Sequence, residues 1–201
     1  MKLLLQFITG FLKHAFSKKP VSNTPTVKEK PLEVINSVNT LEWHKSRTWS
    51  KRPLSKINKI VVHQSLTTGS LTGINSYHIK PGKDNHISPK GAPHICYHYA
   101  IDQKGVVHQC NHLSSLVWHT KGQNTSGIGI VVLGNFEGPT YKGTNSPTDT
   151  QIKNTNRLID FLLKKTDIKI ESSEIYGHAD FGKENCPGNK VYTECVESRR
   201  K

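Results

Sequence analysis

Apolar positions along this chain fall into short runs of two periods, separated by long polar stretches. Lys59 to Gln64 holds the β-branched run Ile60-Val61-Val62 and predicts a buried strand that ends at His63. Ile95–Ile101 and Val106–Cys110 flank Asp102-Gln103-Lys104-Gly105, which predicts a hairpin with Gly105 in the left-handed conformation. Gly127 to Leu133 is almost continuously apolar, as in a central strand covered on both faces. Glu174–Gly177 reads as a last short strand. The clearest helical period covers about Thr150 to Lys165. There Ile152, Leu158, Ile159, Phe161 and Leu162 supply a wide stripe, and Thr148 with Gln151 fits a capping box. Ser70 to His78 predicts a shorter helix, with Leu71, Ile74 and either Tyr77 or His78 facing inwards and Gly73 weakening it. Strands mixed with a few helices indicate an α/β fold, a mixed central β-sheet flanked by helices.

The pattern changes before residue 41. Residues 1–16 open with Met1-Lys2 and a largely apolar run to Leu12, which suits a signal-like segment but lacks a small-x-small cleavage site before Lys18-Lys19-Pro20. The same residues suit an amphipathic membrane-associated helix with Leu4, Phe7, Ile8, Phe11, Leu12 and Ala15 on one stripe. The run is too short to span a bilayer as a helix. Residues 17–40, rich in Ser, Thr, Asn, Pro and Lys, read as a basic polar linker, which leaves 41–201 for the folded domain.

Composition supports that division. A chain of 201 residues fits one domain with extensions, and a hydrophobic share of 34% is low if all of it were core. The formal net charge is +13, and residues 1–55 alone hold ten Lys/Arg against three Glu. Such a protein is drawn to polyanions, including anionic membranes and phosphate-bearing wall polymers. The basic N-terminal segment is the candidate for that contact. The Lys and Arg are dispersed and form no groove-reading module, so no nucleic-acid partner is expected.

The candidate chemistry lies in His63, at the end of its strand, and in Tyr176-Gly177-His178-Ala179-Asp180 followed by Cys186-Pro187-Gly188. Two imidazoles and one thiolate, with a fourth position left to water, make the donor set of a hydrolytic zinc site. The sequence has no CxxC, the usual ligand pair of a structural zinc shell, and no HExxH. Assigning Cys186 to a metal leaves Cys96, Cys110 and Cys195, an odd number, and the hairpin geometry is marginal for a Cys96–Cys110 disulfide. Mostly free thiols are expected.

An ordered series of segments then carries a resemblance. It runs through Ile60-Val61-Val62-His63, Ile74-Asn75-Ser76-Tyr77-His78, Tyr97-His98-Tyr99-Ala100-Ile101-Asp102-Gln103-Lys104-Gly105 and His119-Thr120-Lys121-Gly122-Gln123-Asn124. Ser126-Gly127-Ile128-Gly129-Ile130, Gly134-Asn135-Phe136, and Gly177-His178-Ala179-Asp180-Phe181 with Cys186-Pro187-Gly188 complete it. Over roughly residues 56–190 the chain resembles the zinc-dependent N-acetylmuramoyl-L-alanine amidases of phage endolysins and peptidoglycan recognition proteins. The resemblance implies one zinc ion (Zn2+) per chain, held by His63, His178 and Cys186, and cleavage of the amide between N-acetylmuramic acid and L-alanine in bacterial peptidoglycan. It implies Tyr97 as the catalytic tyrosine and His119 and Asn124 as substrate-binding residues, while His98 is expected on the opposite, structural face. Related endolysins often carry a lysine two residues before the zinc cysteine; here that place is Glu184, with Lys183 just before it. Either Lys183 reaches in, or Glu184 acts as general base, or neither takes part. A monomer acting in the cell envelope is expected, exported, membrane-associated or released by phage lysis. The alternative is a peptidoglycan-binding module without catalysis, although non-catalytic relatives typically lack the cysteine that this chain keeps.

Overall fold

The computed structural model describes residues 30–200. In chain order its main elements are β1 (Val34–Asn36), β2 (Lys59–Gln64), α1 (Leu71–Ile79), β3 (Tyr99–Ile101), β4 (Val107–Gln109), β5 (Gly127–Val132), α2 (Asp149–Leu163), β6 (Ile175–Gly177) and α3 (Asn189–Cys195). The strands form one sheet in the order β1-β4-β3-β5-β2-β6. Only the β3–β4 hairpin is antiparallel; every other neighbouring pair is parallel. This is the expected mixed sheet in a single domain. Tight turns can join only antiparallel neighbours, so the parallel pairs are reached through helices and long loops.

Alternation along the strands divides the interior. Ile60 and Val62 of β2 join Ile128, Ile130 and Val132 of β5 beneath Leu158, Ile159 and Leu162 of α2 and Val191 of α3. Val131 turns to the other face, where it packs with Ala100, Ile95 and Ile74 of α1. Because β2 pairs in register with β5, His63 lies opposite Val131 and points to this second face. All six residues of β5 are buried, as a central strand requires.

Helix α2 begins with the expected reciprocal cap between Thr148 and Gln151. Phe161 departs from the expected stripe: it is 45% exposed and lies beneath the Lys165 ammonium at 5.5 Å. The buried stripe is completed instead by Gln151 and Thr155, whose polar atoms reach the Leu133 and Gln151 carbonyls. In α1 the inward side chain is His78, while Tyr77 is exposed. Gly105 turns the hairpin with φ near 81°, a value that suits a residue without Cβ. All four cysteines are buried and free.

The sheet starts earlier than expected. Strand β1 falls inside the segment read as linker over 17–40, pairs in parallel with β4, and is followed by buried Ser37 and Val38. The compact unit accordingly runs from Pro31. Three residues between polar neighbours carry too little periodicity to be read as a strand; pairing with the edge at β4 supplies the rest. Helix α3 likewise has too weak an apolar period to be legible in the sequence, because its buried residues are only Val191 and Cys195. The segment 1–16 and the first part of the expected linker lie outside the described residues. Among the described residues no helix is long and apolar enough to cross a membrane.

Candidate metal centre

His63 is the fifth residue of β2, and His178 follows β6 directly. Strands β2 and β6 are parallel neighbours with Val62 opposite Gly177, so the two histidines emerge side by side at the carboxyl ends of adjacent strands. That end of an open parallel arrangement is where loops can build a site on a rigid base. A 3-10 turn over His178–Phe181 then reverses the chain and returns Cys186 to the same corner, with Ala179 N–H donating to the Cys186 carbonyl at 2.6 Å. The Cys186–Pro187 peptide is cis.

The three expected ligands converge. His63 Nδ1 lies 3.1 Å from His178 Nδ1 and 3.9 Å from Cys186 Sγ, and all three donor atoms fall within 4.8 Å of one another. A tetrahedral zinc ion with bonds of about 2.05 Å to nitrogen and about 2.3 Å to sulfur has N···N edges of about 3.3 Å and N···S edges of about 3.6 Å. The observed spacings bracket those edges, and the donor set suits zinc chemically. The Gln64 backbone N–H points at Cys186 Sγ at 3.4 Å, a contact that favours a thiolate.

Electrostatics favour the ligating form of the histidines. Burial, reinforced by His119 and His178, holds His63 well below its ordinary pKa. Burial and then the neighbouring Lys183 lower His178 to about 4. Both rings are therefore neutral near pH 7. Burial raises the Cys186 thiol to about 12 against the opposing effects of Gln64 N–H and Lys183. A divalent cation would displace that proton, because a coordinating sulfur binds as thiolate.

Behind His63 stands a second layer. Its Nε2 lies 3.3 Å from His119 Nδ1 and 3.4 Å from Thr120 Oγ1. His119 Nε2 meets the Gly127 carbonyl at 3.2 Å, and a carbonyl only accepts. His119 Nε2 therefore carries the proton, its Nδ1 accepts, and His63 donates from Nε2. This leaves His63 Nδ1 bare and aimed at the shared point. A second-layer acceptor that fixes the tautomer of a ligand is the usual companion of a metal-bound histidine. The packing explains a glycine in β5: a Cβ at Gly129 would stand 2.6 Å from His119 Cγ.

These groups face a cleft of about 980 Å³. Tyr97 lines it, with its ring centroid 5.2 Å from that of His63, and no other described residue occupies its hydroxyl. Burial, followed by Cys186 and Cys96, pushes the Tyr97 phenol far above its ordinary pKa, so it is a proton donor at neutral pH. Lys183 and Glu184 both line the cleft, but Glu184 accepts a 2.7 Å hydrogen bond from Thr140 and is exposed. His119 lines the cleft from behind His63 and is only 6% exposed. Asn124 does not belong to the lining: its side-chain oxygen accepts Thr120 N–H at 2.8 Å and so shapes the turn after His119. His98 is structural as expected, buried between Arg52 Nη2 and Gly129 N–H.

Sequence reasoning missed Thr120 and Gln64 as supports of the centre. Both are immediate neighbours of named histidines, which is the one signal they offered. It also missed Tyr77, His86 and Trp118, which form an aromatic wall of the cleft. The Tyr77 hydroxyl meets His86 Nδ1 at 2.7 Å and the two rings stack.

Comparison with known proteins agrees with this architecture. The chain is 26% identical over 164 residues to peptidoglycan-recognition protein SC2 of Drosophila simulans, which spans 80% of this chain and 84% of that relative. Among solved structures, the endolysin N-acetylmuramoyl-L-alanine amidase LysCS from Clostridium intestinale superposes with a TM-score of 0.58 at 20% identity, covering 82% of this chain and 95% of that one. Drosophila peptidoglycan recognition protein SD gives a TM-score of 0.64 at 14% identity, covering 85% and 94% respectively. The sequence profile of the N-acetylmuramoyl-L-alanine amidases matches residues 53–189, which include His63, Tyr97, His119, His178 and Cys186, and the chain belongs to that family.

Proposed function

We propose that the chain is a zinc-dependent amidase that hydrolyses the bond between N-acetylmuramic acid and L-alanine in peptidoglycan. The observation that carries this reading is the convergence of His63 Nδ1, His178 Nδ1 and Cys186 Sγ at one point on the floor of an open cleft. Bound there, zinc would supply Lewis-acid polarisation of the amide carbonyl and acidify the attacking water. The protein does the rest. Neutral His63 and His178 and the Cys186 sulfur hold the ion, and His119 keeps His63 in the ligating tautomer. Tyr97 donates its phenolic proton as a hydrogen bond where negative charge develops on the former carbonyl oxygen. Lys183 adds a positive charge at the same rim, while Glu184 is held towards Thr140.

Digestion of purified cell walls tests the proposal. Free L-alanine amino termini are expected with the zinc-loaded enzyme, none after chelation, and recovery when zinc is restored. The Cys186→Ser variant is expected to lose both the metal and the activity. Full activity in zinc-depleted enzyme would exclude this chemistry. The second reading, a recognition module, draws on the relatives named peptidoglycan-recognition proteins. Tight muropeptide binding without cleavage by a zinc-loaded sample would favour it.

The same proposal places the enzyme at the cell envelope as a monomer, with the basic N-terminal segment as its attachment to anionic lipid or wall polymer. Cosedimentation of the full chain with anionic vesicles or walls is expected to fall as salt is raised. Salt-independent binding would assign attachment to something other than charge.

A further inference from the structure

The chain beyond the family match folds back onto the corner that delivers His178. Asp180, two residues past that histidine, accepts the Gly177 backbone N–H at 2.8 Å through Oδ2 and the Tyr192 hydroxyl at 2.8 Å through Oδ1. Arg200 closes the arrangement. Its Nη2 donates to Asp180 Oδ2 at 2.7 Å and its Nη1 to Asp180 Oδ1 at 3.3 Å, a two-pronged pairing. Its Nε donates to the Ile175 carbonyl at 2.8 Å, and Nη1 also lies 3.2 Å from the Tyr192 hydroxyl. The guanidinium sits over the Tyr176 ring at 4.9 Å.

One rigid planar fork therefore bridges residue 175 and residue 180, with His178 between them. An isolated, partly exposed ion pair contributes little to stability. A fork that is stacked on an aromatic ring and bonded to two points of a short segment does something else: it fixes that segment's path. A lysine cannot reproduce it, because its single ammonium lacks the spread geometry. Arg200 and Tyr192 lie outside residues 53–189, so the family match carries no information about either.

We propose that Arg200 is a positioning residue for the metal ligand His178, acting through Asp180 and the Ile175 carbonyl to hold the turn that presents Nδ1 to His63 and Cys186. The inference rests on the zinc reading above. It is tested in the full chain by zinc affinity, measured in competition with a chromophoric chelator, and by the visible spectrum of the cobalt-substituted protein. Supports of a metal ligand typically contribute 10- to 100-fold to affinity. Because Arg200 acts through the backbone, R200A is expected at the low end, about tenfold weaker, with an altered cobalt spectrum. R200K, which keeps the charge but cannot span to Ile175, is expected between R200A and the wild type, and it decides alone if R200A does not fold. Zinc affinity within about twofold of wild type in the folded variants, with an unchanged cobalt spectrum, overturns the assignment. A wild-type chain without measurable zinc affinity would instead bring down the metal centre, and this inference with it, so the two failures are told apart.

Discussion

His63 has a different task for each of its two ring nitrogens. Nδ1 meets His178 and Cys186, while Nε2 meets His119 and Thr120. His119→Ala would remove the acceptor that fixes the tautomer and open space behind the ligand. It is expected to weaken zinc binding 10- to 100-fold, as loss of second-layer supports does, and chelator competition would register the change. Unchanged affinity would return His119 to the role of a cleft wall. Tyr97 separates binding from chemistry, since its hydroxyl is outside the ligand set. Tyr97→Phe is expected to keep full zinc content and lose about 10²- to 10³-fold in kcat, the size seen when one oxyanion donor is removed. A drop in metal content instead would make it a structural support.

At the scale of elements, the site depends on where two parallel strands end. β2 and β6 stop beside each other, and β5 lies flat enough at Gly129 to take the His119 ring against its backbone. Helix α2 holds this platform from the opposite face. Its capping box satisfies backbone N–H groups that have no partner within the helix. Thr148→Ala is expected to destabilise the protein by about 1 kcal/mol while leaving zinc binding and specific activity unchanged. Denaturant unfolding with a parallel activity assay would show it. A loss of activity larger than the loss of folded protein would mean that α2 communicates with the site.

For the molecule as a whole, buried histidines make stability depend on pH even apart from the candidate metal ligands. His78 is lowered to about 4, by burial first and then by His86 and His94. His98 is held well below its ordinary pKa, by burial and then by Arg52 and His119. With folded pKa values below the unfolded value, the unfolded chain binds more protons at acid pH. The stabilisation from the neutral rings is thus complete above about pH 6.5 and is lost as pH falls towards the folded values. For His78 alone the loss between pH 6.5 and pH 5 is about 2 kcal/mol. Urea titrations of the metal-free protein at those two pH values should show it, and equal stability would contradict neutral burial.

The sequence alone determined the candidate metal ligands, the strand that ends in His63, the capped helix and the mixed character of the sheet. These follow from local patterns: apolar period, turn residues and the chemistry of His and Cys at strand ends. It also ordered the segments in a way that resembles an amidase. Tertiary structure decided what no local pattern encodes. Pairing in the sheet turned three residues of an apparent linker into β1. Packing placed Phe161 outside the buried stripe and Asn124 outside the cleft. Only the fold brought Thr120 to His63 and Gln64 to Cys186 and carried Arg200 back to the His178 corner. Each of these is a contact between residues distant in sequence, fixed by burial and hydrogen-bond geometry once the chain has closed on itself.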